Sequence, residues 1–239
     1  MTDSSSIGGK TVALSAVAAL VFGFGGAAIY GATGLGNANI REYMLENPEI
    51  LPEMAERYQA REAEQRLASA GSQVLEPFPG AVLGNPQGSV TLVEFSDYAC
   101  GYCRSSVAEV EALIAANPDL KVVMREIPIL APESEAAARM ALAAAAQGKF
   151  EAFHHAMFDA GRPNEQTILA AANQAGLDIE KARAFAASQV ADAELQSNLT
   201  VASQLGFDGT PSWIVGGKVF QGAVGRGVLQ DALDAAKEG

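Results

Sequence analysis

The chain has 239 residues, 49% of them hydrophobic, which suffices for one domain of moderate size with an appendage and excludes global disorder. Its formal net charge of -12 repels phosphate backbones, and no cluster of Lys and Arg offsets it, so nucleic acid is excluded as a partner. Two cysteines are too few for a disulfide-stapled scaffold, and the adjacent His154 and His155 point to different helix faces, so one chain can hardly complete a zinc site.

The first ten residues are polar and end in Lys10, after which Thr11–Ile40 carries no charge and Thr11–Tyr30 is almost wholly apolar. About 20 such residues span a bilayer core as a helix. Residues 1–38 therefore read as a membrane anchor or a signal segment. The run exceeds the usual signal core of about 7–15 residues, which favours an uncleaved helix in the inner membrane with the rest of the chain outside. The small residues of Gly31–Asn39 keep open a cleaved signal and a soluble periplasmic product.

Residues 39–80 form a second segment. Ile40, Tyr43, Met44, Ile50, Leu51, Met54 and Tyr58 recur at helical spacing, and Asn47-Pro48 reads as the cap opening a second helix. This stalk is either a solvated spacer or an oligomerisation element, because its apolar stripe has no core of its own to cover. Gly71–Gly80, with Pro77 and Pro79, reads as the linker that follows.

Residues 81–239 predict an α/β domain. Val90–Phe95 is a buried strand by its β-branched content, Cys103–Ala116 a helix, and Leu120–Ile127 a second strand. Glu133–Leu205 is an alanine-rich helical block broken at Gly148, at Gly161-Arg162-Pro163 and at Gly176. Ser212–Val215 and Lys218–Phe220 form a hairpin across Gly216-Gly217, with Trp213 and Phe220 in its core, and Gly225–Lys237 closes the chain as a helix.

The chemistry centres on Cys100-Gly101-Tyr102-Cys103, between a strand and a helix. Unpaired N–H groups and the helix dipole at that place favour negative charge on the Cys100 sulfur, and Cys103 lies nearly one turn below. By elimination the pair is redox-active, holds a metal shared between subunits, or is inert. As a redox couple, Cys100 is the outer nucleophile and Cys103 the inner resolver, and no prosthetic group is needed beyond their own disulfide. Glu94 lies in the preceding strand between Val93 and Phe95; a carboxylate buried there has a raised pKa and can exchange a proton with the thiols. Gly209-Thr210-Pro211 enters the hairpin, and a cis bond before Pro211 would set the Thr210 backbone beside the cysteines to hydrogen-bond an extended substrate.

These residues resemble the DsbA-like thiol–disulfide oxidoreductases of the thioredoxin superfamily. The resemblance covers about Ala81–Lys237 and rests on VEFSDYACGYCR (Val93–Arg104), REIPIL (Arg125–Leu130) and FDGTPSWIVGGKVFQG (Phe207–Gly222). It implies a thioredoxin fold with a helical insertion at about 131–206, Cys100 as nucleophile, Cys103 as resolving cysteine, Glu94 as the buried carboxylate and Pro211 as a cis-proline after Thr210. Gly101 and Tyr102, with Thr210 and Pro211, would meet the substrate. REYMLENPEIL (Arg41–Leu51) is similar to the stalk of the copper-sensitivity-suppressor subgroup, in which this segment can trimerise the protein. The resemblance implies protein substrates bearing thiols or disulfides and a membrane redox partner that resets the pair. Gly101-Tyr102 replaces the Pro-His of the best-known pattern, so no imidazole stands beside the nucleophile; oxidase, isomerase and reductase stay open. So does a chaperone or metal-handling module using the same thiols.

Weaker signals in the chain carry no function. Gly9-Lys10-Thr11 lacks the upstream glycine and strand of a phosphate-binding loop, and Asn198-Leu199-Thr200 is a glycosylation sequon within an expected helix. His154-His155 is expected as a helix-surface pair.

Overall fold

The computed structural model describes residues 6–32 and 35–238, with side chains for 13–26 and 40–237. Met1–Tyr58 and Gln59–Gly239 form two compact units. In the first, α1 (Ser6–Ala32) carries the apolar run and α2 (Leu35–Glu46) begins the stalk. The expected membrane anchor at 1–38 is not supported: among the described residues no helix is long and apolar enough to cross a membrane, while residues 1–5 and 33–34 of that segment lie outside them.

The second helix of the stalk, α3 (Ile50–Ala70), starts two residues after Pro48, and the Asn47 side chain donates back to the Tyr43 carbonyl at 2.7 Å instead of capping that helix. From Gln59 onward it belongs to the second unit, where Leu67 and Ala70 join a core with Val74 and Phe95. Residues 71–80, read as a linker, hold a 3-10 turn (Ser72–Leu75) whose Val74 is buried.

The second unit is built on a five-stranded sheet in the order β1-β3-β2-β4-β5. Its strands are β1 (Val82–Gly84), β2 (Val90–Ser96), β3 (Leu120–Glu126), β4 (Ser212–Val215) and β5 (Lys218–Gln221). β2 and β3 run parallel, joined through α4 (Gly101–Ala116), while β1, β4 and β5 pair antiparallel to their neighbours. Sequence reading missed β1, which has only three residues.

Strand side chains alternate between two faces, and here both are buried. Leu92, Leu120, Val122, Met124, Trp213 and Val215 face one core, shared with α4 and with Leu229 and Leu233 of α10 (Arg226–Glu238). Val93, Phe95, Val123, Ile127 and Ile214 face the other. The two-residue repeat therefore places Glu94, Ser96 and Glu126 on the α4 face and Arg125 on the opposite one.

Five helices are inserted between β3 and β4: α5 (Pro132–Ala146), α6 (Phe150–Ala160), α7 (Glu165–Gln174), α8 (Ile179–Ala186) and α9 (Gln189–Leu205). The expected breaks at Gly148, Gly161–Pro163 and Gly176 fall between helices. A further break at Ser188 went unread because no glycine or proline marks it; the Ser188 side chain caps α9 through the Ala191 N–H. Six alanines of α5 are buried, which lets neighbouring helices approach closely. α9 ends at Gly206, whose φ of 77° is left-handed, with the Phe207 N–H returning to the Ala202 carbonyl at 2.8 Å.

Arg125 ties these parts together from the second face. Its guanidinium donates to the carbonyls of Val74 (2.9 Å), Gln73 (2.7 Å) and Glu76 (2.9 Å), and to Asn198 Oδ1 of α9 (2.6 Å). Asn198 is thereby buried, which removes the sequon as an acceptor site. Arg125→Met takes the guanidinium donors away from three carbonyls and an amide oxygen. It is expected to cost about 3 kcal/mol of stability, read as a lower denaturant midpoint for the second unit.

Candidate active site

β2 ends at Ser96, and a four-residue turn leads to Cys100, the N-cap of α4. Asp97 locks that turn. Its Oδ1 accepts the Ala99 N–H (2.8 Å) and the Ser134 hydroxyl (2.6 Å), and its backbone carbonyl accepts the Cys100 N–H (2.9 Å). Its Oδ2 accepts the N–H groups of Ile129 (2.8 Å) and Leu130 (2.9 Å), so the loop after β3 is fastened to the residue that positions the cysteine. Ile129, Leu130 and Tyr102 expose apolar side chains.

The Cys100 sulfur replaces the usual hydroxyl or carboxylate of a helix cap: it accepts the Cys103 N–H at 3.4 Å. On its other side the thiol donates to the Thr210 carbonyl at 3.2 Å. That carbonyl is aimed at the sulfur from the bond before Pro211, which is cis as expected. Both thiols are free; Cys103 is wholly buried and Cys100 nearly so. Gly101 and Tyr102 lie on the exposed side of α4, with Tyr102 at 67% exposure and open space where a Cβ on Gly101 would stand.

Beneath the thiols lies a buried acidic cluster. Glu94 is 3% exposed, and burial raises its pKa from 4.5 to about 8 against the lowering effect of the Ser106 hydroxyl, 3.1 Å from its Oε1. The same hydroxyl is 2.8 Å from the Cys103 carbonyl, so its single proton serves one acceptor at a time. Burial and the Glu94 charge push the Cys103 thiol up. The hydroxyls of Ser96 and Thr210 pull in the other direction, and neither completes a hydrogen bond with the reduced thiol.

Sequence reasoning found Cys100, Cys103, Glu94, Thr210 and Pro211, which the fold brings together, but missed Asp97, Tyr98, Glu126 and His154. Glu126 is buried, its pKa raised far above the carboxylate range by burial, and it accepts the Tyr98 hydroxyl at 3.1 Å. Tyr98 OH also lies 3.3 Å from His154 Nδ1. His154 is therefore not the surface residue expected: it is 2% exposed between Phe150 and Phe158, and burial with the neighbouring His155 lowers its pKa to about 3. Only His155 is partly exposed, 3.2 Å from Glu111. The signal for Glu126 was the two-residue repeat of β3, which continues Leu120, Val122, Met124 onto the α4 face. Among the described residues no group of three or more His, Cys, Asp and Glu stands where a metal could bind.

A parallel-centred sheet interrupted by a helical insertion, with paired cysteines at a helix mouth and a cis-proline opposite, defines a thioredoxin-fold oxidoreductase. The chain belongs to the DsbA-like thioredoxin family, matching the DSBA-like thioredoxin domain over residues 91–234. Residues 37–65 match the N-terminal domain of the copper resistance protein ScsC.

Among solved structures, a thioredoxin-like oxidoreductase from Silicibacter pomeroyi DSS-3 is 44% identical, with a TM-score of 0.66 over 71% of this chain and 99% of that one. The thiol-disulfide exchange protein alpha-DsbA2 from Wolbachia pipientis is 27% identical, with a TM-score of 0.65 over 72% of this chain and 94% of that one. BcfH of Salmonella enterica Typhimurium shares the fold, at 23% identity and a TM-score of 0.70 over 92% of this chain and 99% of that one. A curated relative, the Na(+)/H(+) antiporter NhaA 3 of Salinispora tropica, is 28% identical over 167 residues, 68% of this chain. The chain spans about a quarter of that relative's length.

Glu94 makes stability depend on pH. Its folded pKa lies above the unfolded value, so the folded state retains a proton that the unfolded state has released between pH 4.5 and about 8, and stability falls as pH rises through that window. Glu94→Gln is expected to match the parent near pH 4.5 and to exceed it increasingly toward pH 8, by at most about 1.4 kcal/mol per pH unit. Thermal melts across that range check it.

Proposed function

We propose that this protein is a thiol–disulfide oxidoreductase of the bacterial periplasm, acting on protein thiols and disulfides through Cys100 and Cys103. The observation that carries the reading is the Cys100 sulfur, held between the Cys103 N–H and the Thr210 carbonyl. The acceptor suits the thiol, and the donor at the helix mouth suits the thiolate, so the sulfur is accommodated in both states of a cycle. Family membership supports the activity, and the compartment is read from a second Salmonella enterica Typhimurium structure that shares the fold, a periplasmic thioredoxin-like protein 24% identical to this chain with a TM-score of 0.61.

In the reducing direction, the Cys100 thiolate attacks a substrate disulfide, forming a mixed disulfide and releasing one substrate thiolate. The Cys103 sulfur then attacks the Cys100 sulfur, the second substrate thiolate leaves, and the Cys100–Cys103 disulfide forms. The oxidising direction runs these steps backwards. Glu94 serves as the proton acceptor and donor for Cys103, since Cys103 must lose its proton to attack and burial opposes its ionisation. Thr210 and Pro211 present an edge for an extended substrate segment, with Tyr102 exposed beside the nucleophile.

Cys100→Ser is expected to abolish disulfide exchange with a scrambled or reduced protein substrate. Cys103→Ser should accumulate a mixed disulfide visible on a non-reducing gel. Full activity of Cys100→Ser would end this reading.

The stalk adds a second element to the proposal. The match to the ScsC N-terminal domain and the exposed Ile40, Tyr43, Leu45, Leu51, Met54 and Tyr58 support self-association of residues 39–58 as a trimer. Light scattering is expected to give a multiple of the chain mass, falling to a single chain when residues 39–58 are removed.

A further inference from the structure

Two buried hydroxyls beside the thiols are unpartnered in the resting site. Ser96 is 1% exposed and Thr210 8%, and among the described residues Ser96 Oγ and Thr210 Oγ1 are the buried side-chain atoms that find no hydrogen-bond partner in the protein. Neighbouring hydroxyls are engaged: Ser106 reaches Glu94 and the Cys103 carbonyl, Ser134 donates to Asp97, and Ser212 donates to the Gly209 carbonyl at 2.8 Å. A hydroxyl buried without a partner lowers stability, and Ala at 96 or Val at 210 would remove that cost.

The backbone fixes where these two oxygens stand. Ser96 ends β2 with its carbonyl held by the Ile127 N–H at 2.9 Å, and the two-residue repeat puts its side chain on the α4 face with Glu94. Thr210 is held from the other side, its carbonyl accepting the Cys100 thiol at 3.2 Å. Both hydroxyls and the Asp97 N–H favour charge on the buried Cys103 sulfur, against the loss of water and the Glu94 charge that oppose it. Donors thus approach one sulfur from β2, from the turn after it and from the loop before β4. A thiol or a disulfide sulfur is a weak acceptor, whereas a thiolate draws charge-assisted bonds.

We propose that Ser96 is a transition-state donor in the exchange: its hydroxyl, with that of Thr210 beside it, bonds the Cys103 sulfur only while that sulfur carries negative charge. The inference rests on the Cys100–Cys103 cycle proposed above. In resolution, Cys103 gives its proton to Glu94, its sulfur attacks the Cys100 sulfur, and the Cys100–substrate bond breaks with its electron pair leaving on the substrate sulfur. In the opposite direction a substrate thiolate attacks Cys100, and Cys103 leaves with the electron pair of the Cys100–Cys103 bond before regaining a proton from Glu94. Cys103 is charged in passing both ways, and is a thiol at one end and a disulfide sulfur at the other. A donor that acts only on the charged form therefore speeds both directions equally and leaves the reduction potential where it was. An about tenfold loss of acidity at Cys103 cuts its thiolate population tenfold but raises the nucleophilicity of what remains about threefold, a net slowing of about three- to fourfold.

The test mixes the reduced full chain with dithiobis-nitrobenzoate, which releases one coloured thiolate as Cys100 captures the reagent and a second as Cys103 resolves it. In Ser96→Ala the first phase is expected to be unchanged and the second to slow about three- to fourfold. Attack of glutathione on the Cys100–Cys103 disulfide should slow by the same factor, with the reduction potential unchanged. The melting temperature of the reduced protein should hold or rise, because an orphaned hydroxyl has gone. Ser96→Thr keeps the hydroxyl and should keep both rates. A second phase at the parental rate overturns the inference. So does slowing in one direction alone with a matching shift in potential, which would place the hydroxyl's action on the resting thiol or disulfide. Slowing with a lowered melting temperature that Ser96→Thr does not restore would make Ser96 structural, and also overturns it. Full exchange by Cys100→Ser would instead end the cycle itself; if Cys100→Ser is inert while Ser96→Ala resolves at the parental rate, the cycle stands and only the role of Ser96 falls.

Discussion

The site depends on one arrangement: a sulfur used as a helix cap. Cys100 takes the place of the oxygen that ordinarily ends the orphan N–H groups of α4, and it does so at 3.4 Å from the Cys103 N–H. A capping oxygen is chemically idle, whereas a capping sulfur can act as a nucleophile. Everything nearby keeps the sulfur in that position. Asp97 fixes the turn with its carboxylate and carbonyl, and the cis bond before Pro211 brings the Thr210 carbonyl across.

The same geometry forces an expensive interior. Glu94 and Glu126 are buried on one face of the sheet, each with its pKa raised by loss of water, and among the described residues no basic side chain neutralises either. A face chosen for stability alone would carry apolar groups at both positions. Strongly perturbed acids collect at functional sites, and here they lie beneath a thiol that must gain and lose a proton. Tyr98 and His154 complete the cluster with hydrogen bonds that need no charge on the imidazole.

The opposite face shows the contrasting use of a buried charge. Arg125 meets three carbonyls and an amide oxygen, a nearly full set of acceptors for its fork of donors. It holds the 3-10 turn and α9 against β3. Neighbouring residues of one strand, Arg125 and Glu126, thus divide into a structural cation and a buried acid solely because their side chains point to opposite faces.

The sequence by itself determined the local pieces. Cys100 and Cys103 at i and i+3, the β-branched run holding Glu94, the Gly216-Gly217 hairpin turn and the proline at 211 each carry their meaning within a few residues, because helix mouths, strands and turns obey short-range rules. The class of fold followed from their order. Tertiary structure alone decided what depends on distant partners. His154 became a core residue because α6 lies beside Tyr98, and Asn198 lost its sequon character because Arg125 reaches it from β3. The stretch at 71–80 changed from a linker to a docked segment for the same reason. Glu126 acquired its place near Glu94 only when β2 and β3 paired in register, since no spacing along the chain encodes which strands will be neighbours.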